Sequence, residues 1–195
     1  MTFSSPQKLA CTPQQRDILA IARQMGLDGT FLKIGTFGGH LAVEIMNICN
    51  PQKLYCLDPY ESYEEFRDAV RQEQLADIFA EARERLASFG ERVEFVRMYS
   101  EHAAKNFADD ALDFVYIGGT GKYEYVLKDF QCWYPKIRQG GIIAANTGVE
   151  DEGVVRAASD FAESAGAKLY QIGLQCVIFK GRDIVAASNK AHIPG

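Results

Sequence analysis

At 195 residues, 47% of them hydrophobic and 24% charged, the chain is long enough for one domain with a sizeable core. Its 21 basic and 26 acidic residues leave a net charge of -5 with no Lys/Arg block, which argues against nucleic acid as a partner. No run reaches the roughly 18 apolar residues of a membrane span, and the opening MTFSSPQKLACTPQQ lacks the apolar centre of a signal peptide, so a cytoplasmic location with no membrane partner is expected.

Residues 1–12 read as a loose arm, and Thr12-Pro13 suits the cap and first turn of a helix over about 13–25 that Gly26 would end. An apolar strand over about 30–34 runs into a turn spaced by Gly35, Gly38 and Gly39, followed by a helix over about 38–49. Asn50-Pro51 breaks the chain, and LYCLD forms a second strand that ends at Asp58, with Pro59 blocking its continuation. Residues 61–89 carry apolar side chains at helical intervals, as one long helix or two, with Gly90 as the stop. That segment also leaves room for a lid or for a homodimer contact. VEFVRMY is the third strand, after which Ser100-Glu101 should cap a short helix to about Phe107. ALDFVYI is the fourth strand, ending in Gly118-Gly119-Thr120-Gly121, and a helix over about 123–137 follows. Gln139-Gly140-Gly141 reads as a turn before the fifth strand, GIIAAN. A helix over about 151–165 then precedes KLYQI and LQCVIFK, which lie too close together for a crossover helix and so must pair antiparallel. The tail, 188–195, reads as flexible. Five cysteines, odd in number and widely spaced with no CxxC pair, read as buried free thiols.

Five strand-helix alternations with near-continuous apolar strands describe a single α/β domain: a doubly wound, mostly parallel seven-stranded sheet with helices on both faces, closed by an antiparallel hairpin. Such sheets take ligands beyond the carboxyl ends of their strands. The strand-glycine-helix passage at 31–40 offers backbone N–H groups and the positive end of a helix dipole there, although glycine turns also serve tight packing alone. Asp58 is placed to accept two hydrogen bonds from a ribose diol, or to act as a turn residue before proline.

The stretches IGTFGGH, YCLDPY, ALDFVYIGG and KYEYVLKDFQCWYPKIRQGGII carry a family resemblance. They are similar to class I S-adenosylmethionine-dependent methyltransferases of the small O-methyltransferase-like group, which read roughly E-I-G-T-x-x-G-x-S, D-P-x and Y-I-D-G-x-H-x-Y-E-x-V at these places. The resemblance covers about residues 30–180. It implies a Rossmann-like sheet of order 3-2-1-4-5-7-6 with strand seven antiparallel, S-adenosylmethionine as cofactor and a small-molecule substrate. It further implies a cofactor site at Lys33, Gly35, Thr36, Phe37, Gly38, Asp58, Ser100 and Gly118, with Asp58 on the ribose and Ser100 near the adenine.

Three departures cluster at the strand ends. Lys33 stands where the family has an acid against the cofactor's amino group, Gly118-Gly119-Thr120-Gly121 where it has D-G-x-H, and Ala145-Asn146-Thr147-Gly148 where metal-dependent members carry acids. A lysine 4 Å from the cofactor's ammonium would be repelled by roughly 4 kcal/mol at an effective dielectric near 20, about three decades in affinity. Asn146 alone offers one neutral oxygen, so no metal is expected. Three readings follow. The first is a metal-independent methyltransferase in which His40, Lys122 or Tyr123 orients or deprotonates the acceptor, although His40 and Lys122 read more ordinarily as capping or solvated residues. The second is a protein of this fold that has lost catalysis and binds another, anionic ligand through Lys33, Lys122 and the glycine turns. The third is a non-enzymatic scaffold with an emptied pocket.

Overall fold

Short runs of apolar residues form the strands here, and the inner ones are largely buried because helices cover both faces of the sheet, while the two edge strands each keep an exposed residue. The computed structural model describes residues 13–61, 72–119, 121–147 and 152–181. The expected arm (1–12), the expected tail (188–195) and residues 62–71 of the expected 61–89 helix lie outside these. The elements are α1 (Pro13–Gln24), β1 (Thr30–Ile34), α2 (His40–Cys49), β2 (Lys53–Leu57), α3 (Gln72–Leu86), β3 (Val93–Val96), α4 (Ser100–Ala103), β4 (Leu112–Ile117), α5 (Tyr123–Trp133), β5 (Ile137–Asn146), α6 (Glu152–Ala165), β6 (Leu169–Ile172) and β7 (Gln175–Phe179). The strands make one seven-stranded sheet of order β3-β2-β1-β4-β5-β7-β6. Pairing is parallel from β3 across to β5, and antiparallel for β5 with β7 and for β7 with β6.

The alternation of side chains along each strand divides the core into two layers. On one face Ile18, Leu19, Ile45 and Met46 of α1 and α2 pack over Phe31, Phe114 and Val177, and the Phe31 and Phe114 rings stack at 5.0 Å across the β1/β4 pair. On the other face Val126, Phe130 and Trp133 of α5 and Phe161 of α6 pack over Leu32, Val115, Ile143 and Ile178. Every residue of β4 and β7 is buried, as central strands covered by helices require. Among the described residues no helix is long and apolar enough to cross a membrane.

Local differences from the expected elements have physical causes. The Gln139-Gly140-Gly141 segment is not a turn before β5. It lies inside the strand, where Leu112 pairs with Ile137 but Phe114 pairs with Ile142, so the extra residues form a bulge with Gly140 at φ 80°. Helix α5 stops at Trp133, and a 3-10 turn over Tyr134–Lys136 containing Pro135 leads into β5. Ser100 does not cap a helix. Residue Tyr99 holds the cap position of α4 with no side-chain cap bond, and the Ser100 hydroxyl is used elsewhere. Beyond β3 the chain leaves the sheet at Val96, and Met98 and Tyr99 become available to the carboxyl edge.

Candidate active site

The strand order reverses direction between β1 and β4, and the crevice outside their carboxyl ends is where a doubly wound sheet receives ligands. A cavity of about 680 Å³ opens here, within the roughly 300–1,000 Å³ range of small-molecule sites. Ile34, Gly35 and Phe37 reach it from β1, Leu57 and Asp58 from β2, Met98, Tyr99 and Ser100 from beyond β3, and Gly118 and Gly119 from β4. Glu124, Tyr125, Lys128 and Asp129, spaced one turn apart on α5, form the opposite wall.

Gly35 makes the crevice possible. It sits at φ +71°, and a Cβ on it would lie 2.6 Å from the carbonyl oxygen of Gly118 and 2.9 Å from the Cα of Gly119. The two loops therefore touch through bare backbone. The neighbouring Phe37 is left-handed at φ 46° without being glycine, as is Tyr60 at φ 52°. Asp58 secures both. Its Oδ2 accepts the Phe37 N–H at 2.9 Å, its Oδ1 accepts the Tyr60 N–H at 2.9 Å, and the Tyr60 hydroxyl donates to the Phe37 carbonyl at 2.8 Å. Each carboxylate oxygen keeps a lone pair for the cavity, the arrangement that accepts from a vicinal diol. Burial raises the pKa of Asp58, against the pull of these two N–H bonds and of Lys33.

Lys33 is 4% exposed. Its ammonium turns under the floor of the cavity, donating to the carbonyls of Ile34 at 2.6 Å and Gly35 at 2.9 Å and lying 5.2 Å from the Tyr116 ring centroid. Burial lowers it to about 8, opposed by Asp58, Cys56 and Asp129. The native chain thus binds fewer protons than the unfolded chain between pH 8 and the ordinary lysine value, and its stability rises with pH across that window. From pH 7 to 9.5 the wild type should gain about 2 kcal/mol relative to Lys33→Met, read by urea denaturation of both proteins at the two pH values. Parallel curves would show that the ammonium is not desolvated.

Asp129, invisible as a site residue in the sequence, is the less exposed of the two acids on the α5 wall, the other being Glu124. Trp133 Nε1 donates to Ser100 Oγ at 2.8 Å, and Ser100 Oγ donates to Asp129 Oδ1 at 2.5 Å, a relay that fixes the carboxyl against the cavity. Loss of surrounding water pushes Asp129 up to about 7, opposed by the Ser100 bond and by Lys33. The signal that could have found it is the spacing of Asp129 and Trp133 on one helical face opposite a polar residue after β3.

Of the expected site residues, Gly35, Phe37, Asp58, Ser100 and Gly118 are brought together around the cavity, and Lys33 lies directly beneath it. Thr36 is 5% exposed with its hydroxyl 3.3 Å from the Lys33 carbonyl, and the Gly38 carbonyl accepts from Arg85 of α3, so both shape the turn from behind. The three acceptor-side candidates are elsewhere: His40 is the first residue of α2, Lys122 precedes α5, and the Tyr123 hydroxyl donates to Asp160 of α6 at 2.7 Å. Among the described residues no group of three or more His, Cys, Asp or Glu side chains is placed to hold a metal ion.

A family model described as a methyltransferase domain matches residues 32–146, which run from β1 to the end of β5 and include every strand end that borders the cavity. The chain belongs to this methyltransferase-domain family. The methyltransferase domain also resembles solved structures at low identity, which is a likeness of fold. The O-methyltransferase NovP is 16% identical, with 86% of this chain and 80% of that chain covered and a TM-score of 0.63. A Podospora anserina methyltransferase solved in its SAH-bound form is 15% identical over 90% of this chain and 81% of that chain, TM-score 0.63. A precorrin-6y C5,15-methyltransferase from Geobacter metallireducens is 16% identical over 91% and 94%, TM-score 0.63. No curated protein matches the sequence.

Proposed function

We propose that this methyltransferase domain binds S-adenosylmethionine in the crevice between β1 and β4 and transfers its methyl group to a hydroxyl of a small-molecule acceptor. The observation that carries this reading is Asp58: a carboxylate at the end of β2, held by two backbone N–H groups, with its remaining lone pairs on a cavity at the switch point of the sheet. One solved neighbour is an O-methyltransferase and another is SAH-bound, which supports the choice of ligand and acceptor. The net charge of -5 favours a small molecule over nucleic acid.

The residues present fit the adenosyl half of the cofactor. Asp58 accepts from the ribose hydroxyls, Leu57 and Met98 supply apolar surface for a ring, and the floor at Gly35 and Gly118 has no side chain to hold the ligand off the backbone. Ser100 has its proton committed to Asp129 and one lone pair to Trp133, so it offers adenine a single remaining acceptor. The bound cofactor supplies an electrophilic methyl on a sulfonium. The chain's own share is to hold the acceptor in line while the apolar wall of Ile34, Leu57 and Leu75 excludes water. Asp129 is the group for the acceptor's proton, because a carboxyl near 7 is half ionised at neutral pH and is oriented by Ser100.

Calorimetric titration with S-adenosylmethionine and S-adenosylhomocysteine tests the reading. Binding should saturate at one site, and Asp58→Ala should weaken it about tenfold. Release of S-adenosylhomocysteine in the presence of a panel of phenolic and alcoholic acceptors then reports transfer. No binding of either ligand would overturn the proposal, and binding without transfer to any acceptor would reinstate the reading in which catalysis has been lost.

A further inference from the structure

The geometry points to Lys33 as the group that reads the carboxylate at the amino-acid end of the cofactor, an inference that rests on the adenosyl reading of the cavity. Asp58 ends β2, while Met98 and Ser100 border the cavity beyond β3. A ribose held at Asp58 with its base on the β3 side directs the remaining substituent over the β1/β4 crevice, where Gly35 and Gly118 form the floor.

Beneath that floor the Lys33 ammonium takes two backbone acceptors of this edge, the carbonyls of Ile34 and Gly35, and so removes them from any ligand ammonium. The Ile34 carbonyl also accepts the Gly118 N–H at 3.0 Å, so both of its lone pairs are engaged. Nζ fills the volume that a side chain on residue 118 would need, 2.4 Å from the position of such a Cβ. Its charge lies close under the cavity, bonded to the carbonyls of Ile34 and Gly35, both of which line it. A second ammonium arriving over Gly35 therefore meets a like charge, and a carboxylate meets an opposite one across a floor without side chains. The amino-acid end settles with its carboxylate over the crevice and its ammonium turned away.

Calorimetry at pH 7 with four probes tests this: S-adenosylhomocysteine, its analogue lacking only the amino group, its analogue lacking only the carboxyl group, and 5'-methylthioadenosine. Loss of the carboxyl should weaken binding about tenfold or more, and loss of the amino group should change it less than about threefold. Lys33→Met should erase the advantage of the carboxyl. In the unmodified chain, the advantage of the amino-free analogue over 5'-methylthioadenosine should shrink from pH 7 to 9.5 as Lys33 gives up its proton. That readout does not depend on the variant folding, and a lysine serving only the packing of the floor would not produce it. Equal binding of S-adenosylhomocysteine and its carboxyl-free analogue, or an unchanged preference in Lys33→Met, overturns the inference and leaves the adenosyl site standing. Failure of all four probes, 5'-methylthioadenosine included, overturns the site and the inference together.

Discussion

Asp129→Asn should lower methyl transfer by about 100- to 1,000-fold while leaving S-adenosylhomocysteine binding within about threefold of the wild type. Asparagine keeps an oxygen to accept from Ser100, so the relay from Trp133 and the packing of α5 survive and only the ability to take a proton is removed. The pH profile separates loss of a base from loss of shape. In the wild type, transfer should rise with pH through about 7 as Asp129 ionises. In the variant that rise should vanish. A variant that keeps wild-type turnover and the same profile would remove Asp129 from the reaction.

Gly35→Ala should destabilise the fold by about 4 kcal/mol and abolish cofactor binding, the sum of left-handed strain and forced separation of two packed loops. The atoms in the way are backbone, the Gly118 carbonyl at 2.6 Å and the Gly119 Cα at 2.9 Å, so no side-chain rotation relieves the overlap. Gly26 supplies the control. It has the same φ of +71° with nothing within 4 Å of where a Cβ would stand, so Gly26→Ala should show the conformational cost alone, about 1 kcal/mol. Equal midpoints for the two variants in urea denaturation would mean that the approach of β1 to β4 is not tight.

The sheet was legible in the sequence because most strands are apolar runs closed by a breaker, and because only an antiparallel pairing fits the short connection between β6 and β7. The bulge in β5 was not, since Gln-Gly-Gly has the composition of a turn and only the register against β4 shows the strand continuing through it. The positions of Gly35 and Asp58 followed from where strands meet helices. Asp129 did not: an acid on an amphipathic helix reads as a solvated face until the fold brings Ser100 and Trp133 to it. Lys33 was legible as a misfit of charge, but its answer, an ammonium bent back onto its own backbone carbonyls, exists only in three dimensions.

The knot of Phe37, Asp58 and Tyr60 implies that ligand contact and loop shape cannot drift apart. Whatever replaces the aspartate must also anchor two residues in a conformation that they would not otherwise hold. A change at this one position is therefore felt twice, as a missing handle for the sugar and as a slackened rim, which makes gradual retuning of the pocket from this corner harder than from the opposite helix.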